Sequence, residues 1–164
     1  MAAAAHEGEG PSQATLKRLF PSADNFVTRP LSLTAEAQAK VQARLSRKLE
    51  AHDLKSKVYV PTKDGKSLGV VWVTDAHFKE GLADVVVGLD LQGKVAGVGL
   101  EHSPVALLAQ SNYLNQYKKL NARSVFLQGK DLKPLPSNPA ASSLLAAAVR
   151  KAVAVIDAAY LGGK

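Results

Sequence analysis

The stretch ADVVVGLDLQGKVAGVGL, from Ala83 to Leu100, decides the fold. Its two halves are rich in valine and leucine, and Gln92-Gly93 stands between them, where a tight turn is needed. Short β-rich runs on either side of such a pair are typical of a β-hairpin. A second hairpin is predicted upstream, because Lys63-Asp64-Gly65-Lys66 separates residues 57–60 from residues 68–73. Together the two hairpins predict an antiparallel sheet of four or more strands.

Glycine also stands inside the predicted strands, and not only between them. The positions are Gly69, Gly88, Gly97 and Gly99. A glycine within a strand marks a bulge or a place where another segment packs close to the backbone. We therefore expect irregularities or a tight contact on this sheet.

Helices are predicted before and after the hairpins. The first covers residues 13–20, and the second follows Thr34 as its N-cap and reaches about Glu50. A third is predicted from Pro104 to about Lys119. The last is an alanine-rich helix from about Ala140 to Leu161, which Gly162 ends.

The order of these elements predicts the fold class. Residues 25–33 are expected to be extended, residues 124–127 a short strand and residues 130–139 a proline-rich loop. Helices that flank a block of hairpins indicate an α+β fold, here an antiparallel sheet of two hairpins packed with helices. We expect residues 1–12 to be a disordered tail and residues 13–164 a single domain.

Composition and charge narrow the function classes. The 164 residues include 21 Lys and Arg against 14 Asp and Glu, a net charge of +7. This excess favours acidic partners, although a solvated basic surface is the more common explanation of such a charge. The basic residues are scattered and no nucleic-acid motif is present, so we do not expect nucleic acid as a partner. The absence of cysteine removes disulfides, thiolate metal sites and cysteine nucleophiles.

Membrane and export signals are weak in this sequence. No stretch reaches the roughly 20 apolar residues of a membrane span, so no transmembrane segment is expected. The first ten residues have neither the basic start nor the apolar core of a signal peptide. The small residues before His6 suit the mature end that signal removal leaves. We therefore expect a periplasmic or extracellular protein.

Several short segments of the sequence, taken in order, resemble those of a known family. They are Leu16 to Pro21, Asp64 to Val70, Leu89 to Val98, Glu101-His102-Ser103-Pro104, and Ala147 to Val153. This order is similar to that of the FMN-binding domain found in the sodium-translocating NADH:quinone reductase and in the Rnf electron-transport complex. The resemblance covers roughly residues 14–161 and implies the fold of that domain.

The resemblance also implies where a flavin would attach. In the family, a Ser/Asp-Gly-Ala-Thr/Ser-x-Thr/Ser motif precedes the last helix, and its final hydroxyl is esterified to the FMN phosphate. Here the matching residues 137–143 read SNPAASS, with Pro139 in place of Gly and Ala141 in place of the first Thr/Ser. Ser143 is the best match to the acceptor, whereas alignment from the helix side places Ala141 there. Non-covalent FMN is therefore expected rather than covalent FMN.

The candidate cofactor-binding residues each have a plainer interpretation. They are Ser142, Ser143, Asn138, His102 and Ser103. The two serines are alternatively helix N-caps, Asn138 an ordinary turn residue and His102 a surface histidine.

Other side chains are candidates for contacts with the same flavin. Lys133 or Lys151 is a candidate for helping to bind its phosphate, and Trp72 and Tyr59 either stack on its ring or pack in the core. No metal site is expected, because the histidines lack ligand spacing.

Two functions from different classes remain open at this stage. The first is an exported FMN-binding-like domain that transfers electrons in a membrane-associated or extracellular redox system, with an acidic redox protein such as a cytochrome as partner. The second is a cofactor-less structural or interaction subunit of a cytochrome or membrane assembly that keeps the fold. A small-ligand or haem-binding domain that uses the same cleft is a third. Whether the protein is an enzyme stays undecided.

Overall fold

A computed structural model describes residues 10–162 of the chain, so most of the tail predicted at residues 1–12 lies outside the described residues. Within that range the chain forms five α-helices, six β-strands and two 3-10 segments, which confirms the α+β class. The helices are α1 (Gln13–Leu19), α2 (Ala35–Leu45), α3 (Ala51–Leu54), α4 (Ser111–Leu114) and α5 (Pro139–Tyr160). The strands are β1 (Asn25–Pro30), β2 (Lys57–Lys63), β3 (Lys66–Ser67), β4 (Gly69–Phe78), β5 (Gly81–Asp90) and β6 (Val95–Glu101). The 3-10 segments are Ala106–Ala109 and Asn115–Lys119.

All six strands belong to one antiparallel sheet with the order β1-β2-β4-β5-β6, and β3 pairs with β2. Both predicted hairpins are confirmed. At the first, Asp64 and Gly65 have φ values of 51° and 77°, the positive values that a tight two-residue hairpin turn requires. A third hairpin joins β4 to β5 through Lys79-Glu80, and it is the longest pairing in the sheet.

Helix α5 lies across one face of the sheet and forms most of the main core with it. Asn138 begins the helix, and Gly162, at φ 86°, follows its end, as the sequence predicts. The largest buried side chains beneath it include Trp72 on β4 and Leu89 on β5. Because α5 is buried over most of its length, its alanine-rich composition reflects close helix-to-sheet packing.

A buried ion pair crosses this core. The Lys151 ammonium on α5 lies 2.9 Å from each carboxylate oxygen of Asp53 on α3, and the two residues are 5% and 3% exposed. The ammonium is also 5.8 Å from the centre of the Trp72 ring, whose Nε1–H donates to the Ser56 hydroxyl at 2.7 Å. Ion pairs this deeply buried are costly to break, because one charge is left without a partner.

Helix α1 covers the other face of the sheet, where glycines replace side chains. A Cβ atom added at Gly88 would lie 2.7 Å from Phe20, and one at Gly97 would lie 2.5 Å from Leu19. The space in front of Gly69 is likewise occupied by Phe20, and the space in front of Gly99 by Thr15. The four glycines therefore let α1 approach the strands closely, which confirms the predicted tight contact. The predicted irregularity is confirmed at Gly88, because the β5–β6 register shifts between Gly88 and Leu89.

The start of α1 is tied to the end of β6 through Glu101. Its carboxylate accepts hydrogen bonds from the Ser12 and Thr15 hydroxyls at 2.6 Å each, and from the Ser12 backbone N–H at 3.2 Å. Ser12 also caps the helix, accepting from the Thr15 N–H. Burial alone would raise the pKa of Glu101, but these hydrogen bonds outweigh it and hold the pKa below its ordinary value.

A carboxyl group whose folded-state pKa is depressed stabilises the protein above its unfolded pKa, and this stability is lost as the pH falls. We expect Glu101→Gln to lower the free energy of unfolding by about 1 kcal/mol at pH 7, because the site is partly exposed to water. The difference from wild type should shrink below about pH 4, where the unfolded carboxyl takes up a proton. Urea denaturation at both pH values measures this. A difference that does not change with pH would contradict the assignment.

Three sequence predictions of secondary structure are wrong in detail. Helix α2 ends at Leu45 instead of reaching Glu50, because Ser46 adopts a left-handed conformation with φ 54°. The single helix predicted from Pro104 is broken at Gln110, which is extended. The strand predicted at residues 124–127 does not form, since Phe126 has a φ of 59°.

The part of this segment after Gln110 has a spacing of buried residues that does not suit an α-helix. The buried residues after the break are Leu114, Tyr117 and Leu120, at steps of three. That spacing fits the three residues per turn of a 3-10 helix better than the 3.6 of an α-helix. The segment accordingly ends in the 3-10 turn Asn115–Lys119.

Candidate functional site

The start of α5 is the position where the family resemblance places a flavin phosphate. Asn138 is the N-cap: its Oδ1 accepts from the Ala141 N–H at 3.2 Å, and its Nδ2 donates to Glu80 Oε2 at 2.7 Å. Pro139 is the first helical residue and has no N–H to offer. The interpretation of Ser142 and Ser143 as N-caps is therefore wrong, because the cap, Asn138, lies four residues before Ser142 and five before Ser143.

Ser142 is fully buried and its hydroxyl is used inside the protein. It accepts from the Leu135 N–H at 2.7 Å and donates to the Asn138 carbonyl at 3.1 Å. The Ser142 carbonyl in turn accepts from the Gln128 side chain at 3.2 Å. Ser142 thus fastens the proline-rich loop to the helix, whereas Ser143 next to it is exposed. Of the two serines, Ser143 is the one that an external phosphate can reach.

The two serines should respond differently to removal of their hydroxyls. We expect Ser142→Ala to lower the free energy of unfolding by about 1–3 kcal/mol, because it leaves the Leu135 N–H without its acceptor. Ser143→Ala should change it by less than about 0.5 kcal/mol, as is usual for exposed positions. Thermal unfolding of both variants measures the difference. Equal effects would mean that Ser142 does not hold the loop.

His102 and Ser103 lie at the end of β6. His102 is exposed and has a left-handed backbone with φ 57°, and its Nε2 is 4.0 Å from the Asp84 carboxylate. The Ser103 hydroxyl makes local hydrogen bonds with the Val105 N–H at 3.1 Å and the Val105 carbonyl at 3.0 Å. Ser103 therefore shapes its own turn.

The β4–β5 turn connects the two groups of candidate residues. Glu80 in the turn binds Asn138 at the start of α5. Gly81 beside it packs close to Pro104, since a Cβ atom there would lie 3.5 Å from the proline ring. The structure thus brings both groups to the same end of the sheet, one on each side of this turn.

An open groove of about 420 Å³ adjoins the start of α5. One wall comes from the segment after β6 and the other from the proline-rich loop. Two hydrogen bonds join the walls: the Lys133 N–H donates to Gln116 Oε1 at 2.7 Å, and Gln116 Nε2 donates to the Lys133 carbonyl at 3.2 Å. Leu135 lines the groove and is also the residue that Ser142 holds. The lining residues are Leu107, Gln110, Asn112, Tyr113, Gln116, Lys133, Pro134, Leu135 and Pro136.

Among these lining residues, Lys133 alone is a candidate from the sequence. The two walls are about 20 residues apart in the chain, so no local pattern joins them. The sequence does contain one local signal for this groove, the prolines Pro134 and Pro136 on either side of Leu135. Two prolines so placed make a loop rigid and hold the apolar side chain between them in a fixed position.

The aromatic residues considered for flavin stacking do not form a common site. Trp72 is fully buried in the α5-side core, whereas Tyr59 packs against the α1-side cluster on the opposite face. Core packing is thus the role that the structure shows for Trp72. Burial raises the pKa of Tyr59, which is half-buried. Lys151 is paired with Asp53 inside the core and cannot reach a phosphate at the helix start.

Two further features of the described residues bear on function. Between Gly10 and Gly162, no group of three or more His, Cys, Asp and Glu side chains is placed to hold a metal ion. Of the described helices, α5 is the one long and apolar enough to cross a membrane by length and composition, and 67% of its most apolar window is buried inside the protein.

Fold and site together define an α+β protein with a six-stranded antiparallel sheet and an open groove beside the start of its longest helix. No protein-family model matches the chain, and no curated protein sequence is significantly similar to it.

Proposed function

We propose that this protein binds FMN non-covalently in the groove beside α5 and transfers electrons as an exported domain of a membrane-associated or extracellular redox system. The observation that carries the proposal is the groove itself. Its volume of about 420 Å³ falls within the 300–1,000 Å³ range of small-molecule sites. It also adjoins the helix start where the resemblance to the FMN-binding domain puts the flavin phosphate.

The groove residues suit the two parts of FMN. Tyr113, Leu135 and the neighbouring prolines offer apolar surface for a flat ring. Lys133 supplies a positive charge for the phosphate. The exposed Ser143 does not line the groove and is the fifth residue of α5, at the start of its second turn. When bound, the flavin would accept electrons from one redox protein and pass them to another, while the chain binds and orients it.

Attachment of FMN through an ester bond is not part of the proposal. The start of α5 already has partners: Asn138 caps the Ala141 N–H, and the Glu80 carboxylate is bound to Asn138. The Glu80 carboxylate repels a second anion at this point. It also already interacts with the positive end of the α5 dipole. The phosphate of a bound FMN would therefore lie against Lys133 in the groove and not on the helix start, with no bond to the chain.

The same contacts favour a second candidate function, a structural or interaction subunit without a cofactor. With Ser142 and Asn138 satisfied internally, the helix start is stable without any ligand. In that case the fold would serve as an accessory part of a cytochrome or membrane assembly. The net charge of +7 suits an acidic partner in either case, and such docking weakens as salt is added.

Titration of FMN with the full chain distinguishes the two functions. We expect saturable quenching of flavin fluorescence, weakened at least about tenfold by Leu107→Asp or Lys133→Glu, each of which places a negative charge in the groove. Lys130→Glu makes the same charge change on the same loop outside the groove and should have little effect. If wild-type protein does not quench FMN, the cofactor-less function is supported instead. If Lys130→Glu weakens quenching equally, the groove is not the site.

A further inference from the structure

The segment from Lys118 to Lys133 carries most of the excess positive charge of the protein. Its five basic residues and one acidic residue give a net charge of +4, against +7 for the whole chain. All five basic side chains are exposed, and they are Lys118, Lys119, Arg123, Lys130 and Lys133. The acidic residue is Asp131, and its carboxylate accepts a hydrogen bond from the Leu127 N–H at 2.9 Å. Part of its hydrogen-bonding capacity is therefore used within the segment.

Two large apolar side chains project from the middle of this basic segment. Val125 is 52% exposed and Leu127 is 49% exposed. Phe126 between them is buried, with its ring centre 6.3 Å from that of Tyr117. The backbone at Phe126 is left-handed, with φ 59°, a conformation that is unfavourable for a bulky residue. The buried aromatic ring anchors the segment to the core, while its two neighbours face solvent.

The tip of the segment is held in a fixed shape. The Leu127 carbonyl accepts from the Asp131 N–H at 2.8 Å and from the Leu132 N–H at 3.1 Å, and the Leu132 carbonyl accepts from the Gly129 N–H at 2.6 Å. The other end is joined to the sheet, because the Val95 N–H donates to the Leu120 carbonyl at 3.0 Å. Docking through this segment therefore requires little ordering of the backbone.

We infer that the Lys118–Lys133 segment docks on an anionic lipid bilayer. Val125 and Leu127 enter the boundary between headgroups and acyl chains. Lys118, Lys119, Arg123 and Lys130 of the same segment contact lipid phosphates, whereas Lys133 lines the groove. Each Lys or Arg near such a surface adds to the electrostatic attraction between protein and lipid. Lysine is depleted at the centres of protein interfaces, so a segment with four exposed lysines and two exposed aliphatic residues fits lipid better than an acidic protein. This inference does not depend on FMN binding.

Co-sedimentation of the full chain with vesicles tests the inference. We expect binding to vesicles of phosphatidylcholine mixed with phosphatidylglycerol, and at least about tenfold weaker binding to phosphatidylcholine alone. The double variant Val125→Asp with Leu127→Asp and the double variant Lys119→Glu with Lys130→Glu should each weaken binding by a similar factor. Because all four positions are exposed, thermal unfolding should show that both variants stay folded.

A matched control makes the same charge change elsewhere. Lys63→Glu with Lys66→Glu reverses two exposed lysines on β2 and β3, toward the edge of the sheet that lies away from β6. Its vesicle binding should stay within about twofold of wild type. Equal loss in this control would overturn the inference, since overall charge would then explain the binding. Binding to immobilised polyglutamate without binding to anionic vesicles would overturn it in favour of an acidic protein partner.

Discussion

Replacing Lys151 with methionine should lower the free energy of unfolding by about 3–5 kcal/mol, because it leaves the Asp53 carboxylate buried without its positive partner. Asp53 is 3% exposed and Lys151 lies 2.9 Å from both of its oxygens. For a domain of this size the loss corresponds to a fall in melting temperature of roughly 6–20 °C. Thermal unfolding followed by circular dichroism measures it.

An exposed ion pair provides the control. Lys40 and Glu36 lie 3.5 Å apart on α2 with side chains that are 59% and 82% exposed, and Lys40→Met should cost less than about 0.5 kcal/mol. Adding Asp53→Leu to Lys151→Met should restore part of the lost stability, since no buried charge then remains. If Lys151→Met is no more harmful than Lys40→Met, the pair does not contribute to the core as described.

Gly69→Ala should also have a large effect, lowering the free energy of unfolding by about 1–3 kcal/mol through overpacking. A Cβ atom at Gly69 would lie 2.1 Å from the Leu89 carbonyl oxygen and 2.9 Å from the Phe20 ring. The carbonyl belongs to the neighbouring strand and cannot move away without breaking the β4–β5 pairing. Urea denaturation measures the loss, and an altered near-ultraviolet spectrum should accompany displacement of Phe20.

The matched comparison is Gly97→Ala on the same face of the sheet. There the new Cβ atom meets the Leu19 side chain, with Cδ2 at 2.5 Å, and the end of a leucine can rotate away. We therefore expect a smaller loss than for Gly69→Ala. If alanine at both positions is tolerated without loss, α1 does not rest on the glycines, and the packing described for that face of the sheet is wrong.

The sheet was largely predictable because its turns contain strong local signals. Asp64-Gly65 and Gln92-Gly93 each supply a glycine with positive φ between two valine-rich runs. Lys79-Glu80 has no such signal, so the β4–β5 hairpin was missed, although it is the longest in the sheet. The Lys151–Asp53 pair joins residues 98 positions apart. Contacts of this kind depend on the tertiary fold and leave no periodic pattern in the sequence.

The candidate site was predictable in part. The sequence identified the start of α5, and the structure shows that Ser143 is accessible there while Ser142 is not. No sequence pattern distinguishes these adjacent serines, because their roles depend on where Leu135 of the preceding loop packs. The groove was missed for the same reason, since its walls meet only in the folded chain.

The absorbance spectrum of the protein purified from its native host, taken before and after denaturation, tests the proposed FMN function most directly. The proposal predicts flavin bands that accompany the folded protein and pass into the filtrate once the chain is denatured. Flavin that stays with the denatured chain would show a covalent bond and contradict the account of the α5 start. A colourless protein that also fails to quench added FMN would contradict the electron-transfer function itself.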